Sequence, residues 1–290
     1  MLPTMPSRRR LALVCVLAAC AIAPAIFAQA LPPSPSAAEI VQKNAAARGG
    51  PEAWQRLQSM VWTGYVESDT APGRKLPFLL EQKRPNKTRF ELVTDGLRSI
   101  RMYDGRGGWK LRMNPANGRP ELLPYTEDEL RFARGAQVID GPLMDCVAKG
   151  GVVTFAGRGT AEGRPAWVLE VRLPSGDTHR LWIDAETFLE LRQERPVRSG
   201  AGQPGTVTIL FGDYREFEGV KIPTTIETGG GAGASPNKLV IERVALNPEL
   251  DDGAFARPDT PVSRKHSAIV DTRGAAQRGA VPPPPPPHRP

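Results

Sequence analysis

The side chains able to carry acid–base, nucleophilic or metal chemistry are few in this sequence and badly spaced for it. Of three histidines, His266 and His288 fall in a proline-rich C-terminal stretch, which leaves His179 as the one imidazole inside patterned sequence. A serine or cysteine nucleophile would therefore have a single candidate base. His179 stands two residues before Leu181 in an alternating run, the setting of a half-buried structural histidine on a strand. No Cys or His cluster has zinc spacing. Cys146 lies in the run Leu143-Met144-Asp145-Cys146-Val147 and reads as a small buried hydrophobe. Asp145, Asp251 and Asp252 are carboxylates that could pair, but Leu250-Asp251-Asp252 reads as a cap ahead of Phe255. Gly105 to Gly108 joins two strand patterns and opens no helix, which excludes a phosphate loop. These residues suit binding without catalysis, and no cofactor or metal is expected.

The elements that must position them are mainly β. Ser36 followed by Glu39 is a capping-box start for a helix with Ile40, Val41 and Ala45 on one side, ending at Gly49-Gly50. Pro51 opens a second short helix through Trp54 and Leu57. From Met60 the period changes to two, and strands are expected at 60–67, 77–83, 87–94, 98–104 and 108–113. This spacing predicts a β-meander, with Asp104-Gly105-Arg106-Gly107-Gly108 as a tight link. A second helical stretch begins at the capping box of Thr126 and Glu129, carries Leu130 and Phe132, and extends by a turn or two over 142–147. Strands resume at 152–155, 166–173, 178–184, 188–195, 206–211, 214–218, 221–228 and 238–245, with a Gly-rich loop at 229–236. Trp167, Leu169, Val171 and Leu173 make one face apolar, while Glu170 and Arg172 wet the other.

A single sheet with one apolar face needs cover, and the helical stretches 37–57 and 126–147 are the pieces available. They form a lid too small to fill a strongly curved sheet of about ten strands, so an apolar groove is expected. A two-sheet sandwich with a filled core would satisfy the same strands. Trp62, Phe78, Phe90, Trp109 and Trp167 sit on strands, where they either line such a groove or form ordinary core.

The ends of the chain carry other information. Arg8-Arg9-Arg10, an apolar stretch over 11–27 and Ala28-Gln29-Ala30 have the order of a secretory signal peptide, so residues 1–30 are expected to be removed on export to the periplasm. Pro24 interrupts the run before it reaches the roughly 20 apolar residues of a permanent anchor. A competing reading is the lipobox-like Leu17-Ala18-Ala19-Cys20, which would anchor the protein through a lipidated Cys20, although 21–27 stays apolar where a lipoprotein turns polar. Ser7-Arg8-Arg9 weakly resembles a twin-arginine signal, and ordinary unfolded export is the simpler route. Residues 261–290 have no periodic apolar pattern, finish in a proline run and are expected to be disordered. The formal charge is +7, but the leader and the tail hold all of the excess, so residues 31–260 are neutral. A basic stripe for nucleic acid is therefore absent from the folded part. Cleavage after Ala30 leaves Cys146 as the one cysteine, without an intramolecular partner.

Lys83-Arg84-Pro85-Asn86, then Asp104-Gly105 with Trp109 and Asn114-Pro115, resemble the outer-membrane lipoprotein carrier (LolA-like) family in residue type, order and spacing. Supporting pieces are Ala47-Arg48-Gly49-Gly50 with Trp54, Arg180-Leu181-Trp182-Ile183-Asp184 with Leu189, and Asp213-Tyr214-Arg215 leading into Gly219-Val220. The resemblance covers most of residues 36–258. It implies an antiparallel, unclosed half β-barrel of about eleven strands around a helical lid, with an apolar cavity that takes acyl chains of lipids or lipoproteins. It implies for Arg84 hydrogen bonds to the lid, for which a five-donor fork is suited; the plainer reading of Lys83 to Asn86 is a hairpin turn. The ligand-contacting set on this reading is Trp62, Phe78, Leu80, Phe90, Leu92, Met102, Trp109, Leu130, Phe132, Met144 and Trp167. The implied partners are acyl chains and membrane-bound donor or acceptor proteins, met by a monomer. The Gly-rich loop and the long tail depart from the family. An envelope sensor or protein-interaction module of the same fold is the alternative function, and an enzyme acting on a small hydrophobic substrate is the third.

Protein recovered from a Gram-negative host should begin at Leu31. Intact mass checks this, and a diacylated or triacylated Cys20 would make it a membrane-tethered lipoprotein instead.

Overall fold

The computed structural model describes residues 34–258 apart from 115, 137–138, 199–203 and 231–236. Residues 1–30, expected to be a signal peptide, with Cys20 among them, the proline-rich C-terminal stretch and most of the Gly-rich loop lie outside the described residues. Helix α1 (Ala37–Ala47) starts at the anticipated capping box, with the Ser36 hydroxyl accepting from the Glu39 amide and the Glu39 carboxylate accepting from Ser36. Helix α2 (Pro51–Gln55) follows, with proline at its first position. Strands β1 (Ser59–Ser68), β2 (Ala71–Lys83), β3 (Lys87–Thr94), β4 (Leu97–Tyr103), β5 (Gly108–Met113) and β6 (Pro120–Pro124) form the meander. Helix α3 (Glu127–Gly135) has the second capping box, at Thr126 and Glu129. Strands β7 (Val152–Ala161), β8 (Arg164–Arg172), β9 (Thr178–Asp184), β10 (Glu190–Arg198), β11 (Pro204–Phe217), β12 (Val220–Gly230) and β13 (Asn237–Leu246) complete the order. A short 3-10 turn, η1 (Asp252–Ala254), is capped by Asp251 as expected, through its bond from the Gly253 amide.

All thirteen strands form one antiparallel sheet in the order β6-β5-β4-β3-β2-β1-β13-β12-β11-β10-β9-β8-β7. The first six strands run outward from β1 to one edge. The chain then crosses through α3 and the turns of 139–150 to the opposite edge, and the last seven strands return until β13 pairs with β1, Trp62 opposite Val244. β6 and β7 are edges that do not pair with each other, so the sheet is an unclosed barrel and the sandwich is excluded.

Three details differ from the sequence expectation. The thirteen strands exceed the eleven implied by family resemblance, and β6 is an edge strand absent from the segments expected from sequence; its terminal prolines are tolerated where no neighbour needs their missing N–H. The segments 206–211 and 214–218 are one strand, kept continuous by an irregularity at Asp213, which has φ 51° while the ladder steps from Gly212 opposite Thr225 to Tyr214 opposite Pro223. Residues 142–147 lie within a run of turns instead of adding helix to α3. Positive φ at Gly141 and Asp145 breaks helical geometry there.

Two apolar clusters fasten the lid to the sheet, and a third lies within the sheet. In the first, Ile40 of α1 and Leu143 and Cys146 of the crossing pack on Leu169, Val171, Leu181 and Ile183. Cys146 is buried, and burial raises its thiol pKa. In the second, Trp54, Leu57, Ile139 and Met144 pack on Met60, Val220 and Ile222. The third, Val66, Leu76, Phe78 and Ile241 with Phe90 and Leu92 against them, is built by strands alone. Helix cover therefore stops short of the whole concave face.

The tightest contact between lid and sheet is backbone on backbone. The Lys221 amide donates to the Arg48 carbonyl at 2.9 Å, and Gly49, at φ 108°, has the Gly219 carbonyl where a Cβ would project. Gly50 has φ 89° but open space around it. Gly49→Ala should cost at least about 2 kcal/mol, from clash and strain together, and Gly50→Ala about 1 kcal/mol from strain alone. Denaturant unfolding of the two variants checks the order; equal losses would remove the steric argument.

Candidate functional site

Two adjoining chambers open in the concave face where the lid ends. The outer one, about 770 Å3, lies between β2 to β4, α3 and the neighbouring ends of β9, β10 and β11. The inner one, about 430 Å3, runs under the crossing toward α2. Leu80, Phe132, Ala136, Asp177 and Arg195 line both and so form the shared wall. The inner walls are largely apolar, with Trp62, Leu181, Ile209, Phe211, Ile222 and Ile226 among them. Volumes of this order suit a drug-sized or single-chain ligand.

The turn joining β2 to β3 holds the lid over these chambers. Arg84 donates from Nε to the Leu57 carbonyl at 2.6 Å and from Nη2 to the Trp54 carbonyl at 3.1 Å, both at the C-terminal end of α2. Its other face grips Asp140, with Nη1 on Oδ2 at 2.8 Å and Nη2 on Oδ1. Lys149 adds a bond to Asp140 Oδ2 at 2.5 Å and one to the Met144 carbonyl at 2.9 Å. Asn86, two residues after Arg84, donates from Nδ2 to the carbonyls of Ala133 and Arg134, at 2.6 and 3.1 Å, where α3 ends. One turn thus satisfies the carbonyl ends of two helices, groups that a helix leaves unpaired. On its other flank Lys83 reaches the Leu250 carbonyl at 2.7 Å and Asp252 at 2.8 Å. The Asp140 side chain is 5 % exposed. Burial raises its carboxyl pKa, but the hydrogen bonds from Arg84 and then Lys149 outweigh that, and the net shift is downward.

Deeper in, several polar side chains bond one another, although Arg48 Nε is buried without a hydrogen-bond partner among the described residues. Arg48 donates to the Asp140 carbonyl at 2.8 Å and to Glu190 Oε1 at 3.3 Å, and stacks on the Trp54 ring, 4.1 Å from its centroid. The Tyr214 hydroxyl donates to the Glu190 carbonyl at 3.0 Å; burial, and then the Glu190 charge, hold its pKa well above the usual phenol value. His179 is buried, with its Nδ1 2.9 Å from the Gln193 amide nitrogen. Burial, and then the nearby Arg195 charge, lower its pKa from 6.5 to about 4, so the ring is neutral at physiological pH. The indole Nε1 of Trp62, a residue of the inner wall, is buried without a hydrogen-bond partner. Among the described residues no group of three His, Cys, Asp or Glu side chains could hold a metal ion.

The residues singled out from sequence divide by position. Trp62, Leu80, Phe90 and Phe132 line a chamber. Phe78 and Leu92 are in the third apolar cluster, where Phe78 stacks on Phe90 at 5.8 Å between centroids. Met102 is buried opposite half-buried Trp109 across β4 and β5. Leu130 is half-buried on α3, Met144 is buried under α2, and Trp167 packs against the first cluster, 6.3 Å from Phe155. None of these last seven lines a chamber. Sequence reasoning passed over Arg195, Gln193 and Glu190, and took Tyr214 only as part of the resemblance, not as a site residue. The register shift between Glu190 and Arg192 hides the first three, because it puts Glu190 and Gln193 on the chamber side while Leu191 packs outward with Ala161 and Ala166.

A wide antiparallel sheet, left open and curved around a helical lid with chambers between, is the architecture of the lipoprotein-carrier fold. A LolA superfamily protein from Nitrosomonas europaea has a similar structure, with a TM-score of 0.50 and 14% identity over 77% of this chain and 99% of that one. A structure described as an outer membrane lipoprotein-sorting protein domain, from Vibrio parahaemolyticus, matches at TM-score 0.46 and 15% identity over 75% of this chain and 94% of that one. A DUF1329 family protein from Desulfovibrio piger matches at 0.47 and 12% over 77% and 98%. At these identities the likeness concerns the fold. No family model matches the chain, and no curated protein matches it.

Arg84→Leu should lower stability by about 2–3 kcal/mol, since it strips two helix-end carbonyls of a donor and leaves Asp140 with Lys149 alone. Circular dichroism should still report the sheet. Arg84→Lys should recover part of the loss, because an ammonium group cannot serve all four acceptor positions as a fork does. A change under about 0.5 kcal/mol in Arg84→Leu would reduce the residue to a surface turn.

Proposed function

We propose that this protein binds the acyl chain of a lipid or lipoprotein in the two chambers, as a carrier in the bacterial envelope, and that it carries out no reaction. The observation that supports this best is the pair of adjoining chambers, apolar in their depths and bounded by a lid that the β2–β3 turn fastens. Burial of each methylene contributes roughly 0.8 kcal/mol, so a long chain supplies ample drive without specific contacts. The fold shared with a LolA superfamily protein is consistent with that use, and the leader-like sequence of residues 1–30 with an envelope location. The neutral His179, the Arg48 and Glu190 pair and the buried Tyr214 hydroxyl are read as wall structure, bonded within the wall. Arg84 is read as the latch: it bonds lid carbonyls and a lid carboxylate, so it favours the closed state alone.

An environment-sensitive apolar dye should bind near stoichiometrically and be displaced by long-chain fatty acids or lipopeptides. In Arg84→Leu the dye should leave at least about tenfold faster while strand content is kept. Absence of displaceable binding in the wild type would end the carrier reading and favour a protein-interaction module.

A further inference from the structure

On β10 the side chains of Gln193 and Arg195 face the chambers, while Arg192 and Glu194 pair with each other on the other side. An arginine on the inner face of a curved sheet is costly to desolvate unless something compensates it. The other cations on the chamber walls have acids: Arg48 has Glu190 at 3.3 Å, Arg101 has Glu129 at 3.9 Å, and Arg131 has Asp128. Arg195, by contrast, makes no ion pair among the described residues. It lies over the Phe132 ring, 4.1 Å from its centroid, a contact that holds the guanidinium plane and leaves its edge donors without a hydrogen bond among the described residues. Phe132 itself is 46 % exposed although it lines both chambers. Asp177 shares that wall but forms no salt bridge with Arg195, and its Oδ2 accepts from the Ser175 hydroxyl at 3.2 Å.

Arg195 and Phe132 thus place a cation and an exposed apolar ring at the junction of a half-open chamber and an apolar one. Burial lowers the pKa of Arg195, which marks the same incomplete compensation. From the proposed acyl-chain reading, on which this step rests, we infer that the ligand has an anionic head, a carboxylate or phosphate, and that Arg195 receives it at the wall between the chambers while the chain runs into the inner one. A planar fork offers such oxyanions two parallel charge-assisted bonds. No acid opposes entry farther in, since Glu190 is neutralised by Arg48 and hydrogen-bonded by Tyr214. Asp177, on the same wall but without a salt bridge to Arg195, contributes a longer-range negative field that weakens the site for an anion.

The test uses matched chains with different heads: palmitate against hexadecanol, and lysophosphatidylglycerol against lysophosphatidylcholine, by dye displacement on the full mature chain. Wild type should prefer each anionic member by about tenfold or more. Arg195→Gln should abolish the preference by weakening the anionic ligands, leaving hexadecanol within about twofold. Arg195→Lys should retain part of it, and Asp177→Asn should enlarge it. Thermal unfolding monitors the fold of each variant, and retained hexadecanol binding shows the chamber intact. Equal affinity for both heads in wild type, or a preference that survives in Arg195→Gln, overturns the head-group site and leaves acyl binding standing. Competition by inorganic phosphate as strong as by lysophosphatidylglycerol also overturns it, because the anion would then be held without a chain. Failure of all four ligands to bind would instead remove the carrier reading itself.

Discussion

Asp140 is a carboxylate carried by the crossing segment into a place where it cannot stay charged unaided. Its side chain is 5 % exposed, and an unpaired charge at such depth would cost several kcal/mol. Arg84 and Lys149 compensate it, and the geometry of that compensation organises the lid. Arg84 reaches Asp140 from the end of β2 while also bonding the carbonyls that close α2, so sheet, helix and crossing must meet at one point. Arg48 then binds the Asp140 carbonyl from behind and passes its charge on to Glu190 of β10. The first half of the sheet is therefore tied to Asp140 directly by Arg84, 56 residues away, and the second half indirectly, through Arg48, 92 residues from Asp140, and Glu190.

The openness of the sheet follows from the same crossing. A chain that leaves β6 at one edge and must begin β7 at the other has to traverse the concave face, and α3 with the turns of 139–150 is the piece that does so. Its apolar residues, Ile139, Leu143, Met144 and Cys146, fill the end of the trough nearest α1 and α2. Toward α3 little remains to fill it. The sheet is thirteen strands wide, and the lid supplies one short amphipathic helix at that end, so Leu80, Phe90 and Phe132 face space instead of one another. The chambers are thus a consequence of element lengths and connectivity, with the tight Gly49 and Gly219 approach fixing how closely the filled end can pack.

Much of this was legible in the residues. Both capping boxes, the proline start of α2, the period-two meander and the Asp251 cap correspond to observed elements, because each rests on interactions between residues close in sequence. The half barrel was carried by the run around Lys83 to Asn86 and its companions. What was not legible depends on long-range pairing. The irregularities at Asp213 and between Glu190 and Arg192 change which side chains point inward without altering composition, and so they hid the polar wall of the inner chamber. The choice between chamber lining and core for the strand aromatics was equally hidden. Phe78 and Phe90 are cross-strand diagonal neighbours that stack, yet Phe90 also lines the outer chamber, because the lid ends between them and not because their sequences differ.

The polar groups facing the trough separate into two kinds, and the separation bears on how such a protein could both hold and release a ligand. Around the filled end, Arg48, Asp140, Glu190, Tyr214, Arg84 and Lys149 form a connected set in which removing one member leaves another buried and unpaired. Such a set resists partial opening. In the inner chamber the buried neutral pair of His179 and Gln193 share one hydrogen bond, and at the wall toward the open end the cation at Arg195 is held by the face of a ring. Groups of this second kind change partners at small cost, since water or a ligand can supply the missing bonds. On the proposed reading, the connected set would place the barrier to opening at the β2–β3 turn, and the adaptable wall would be where a ligand is received.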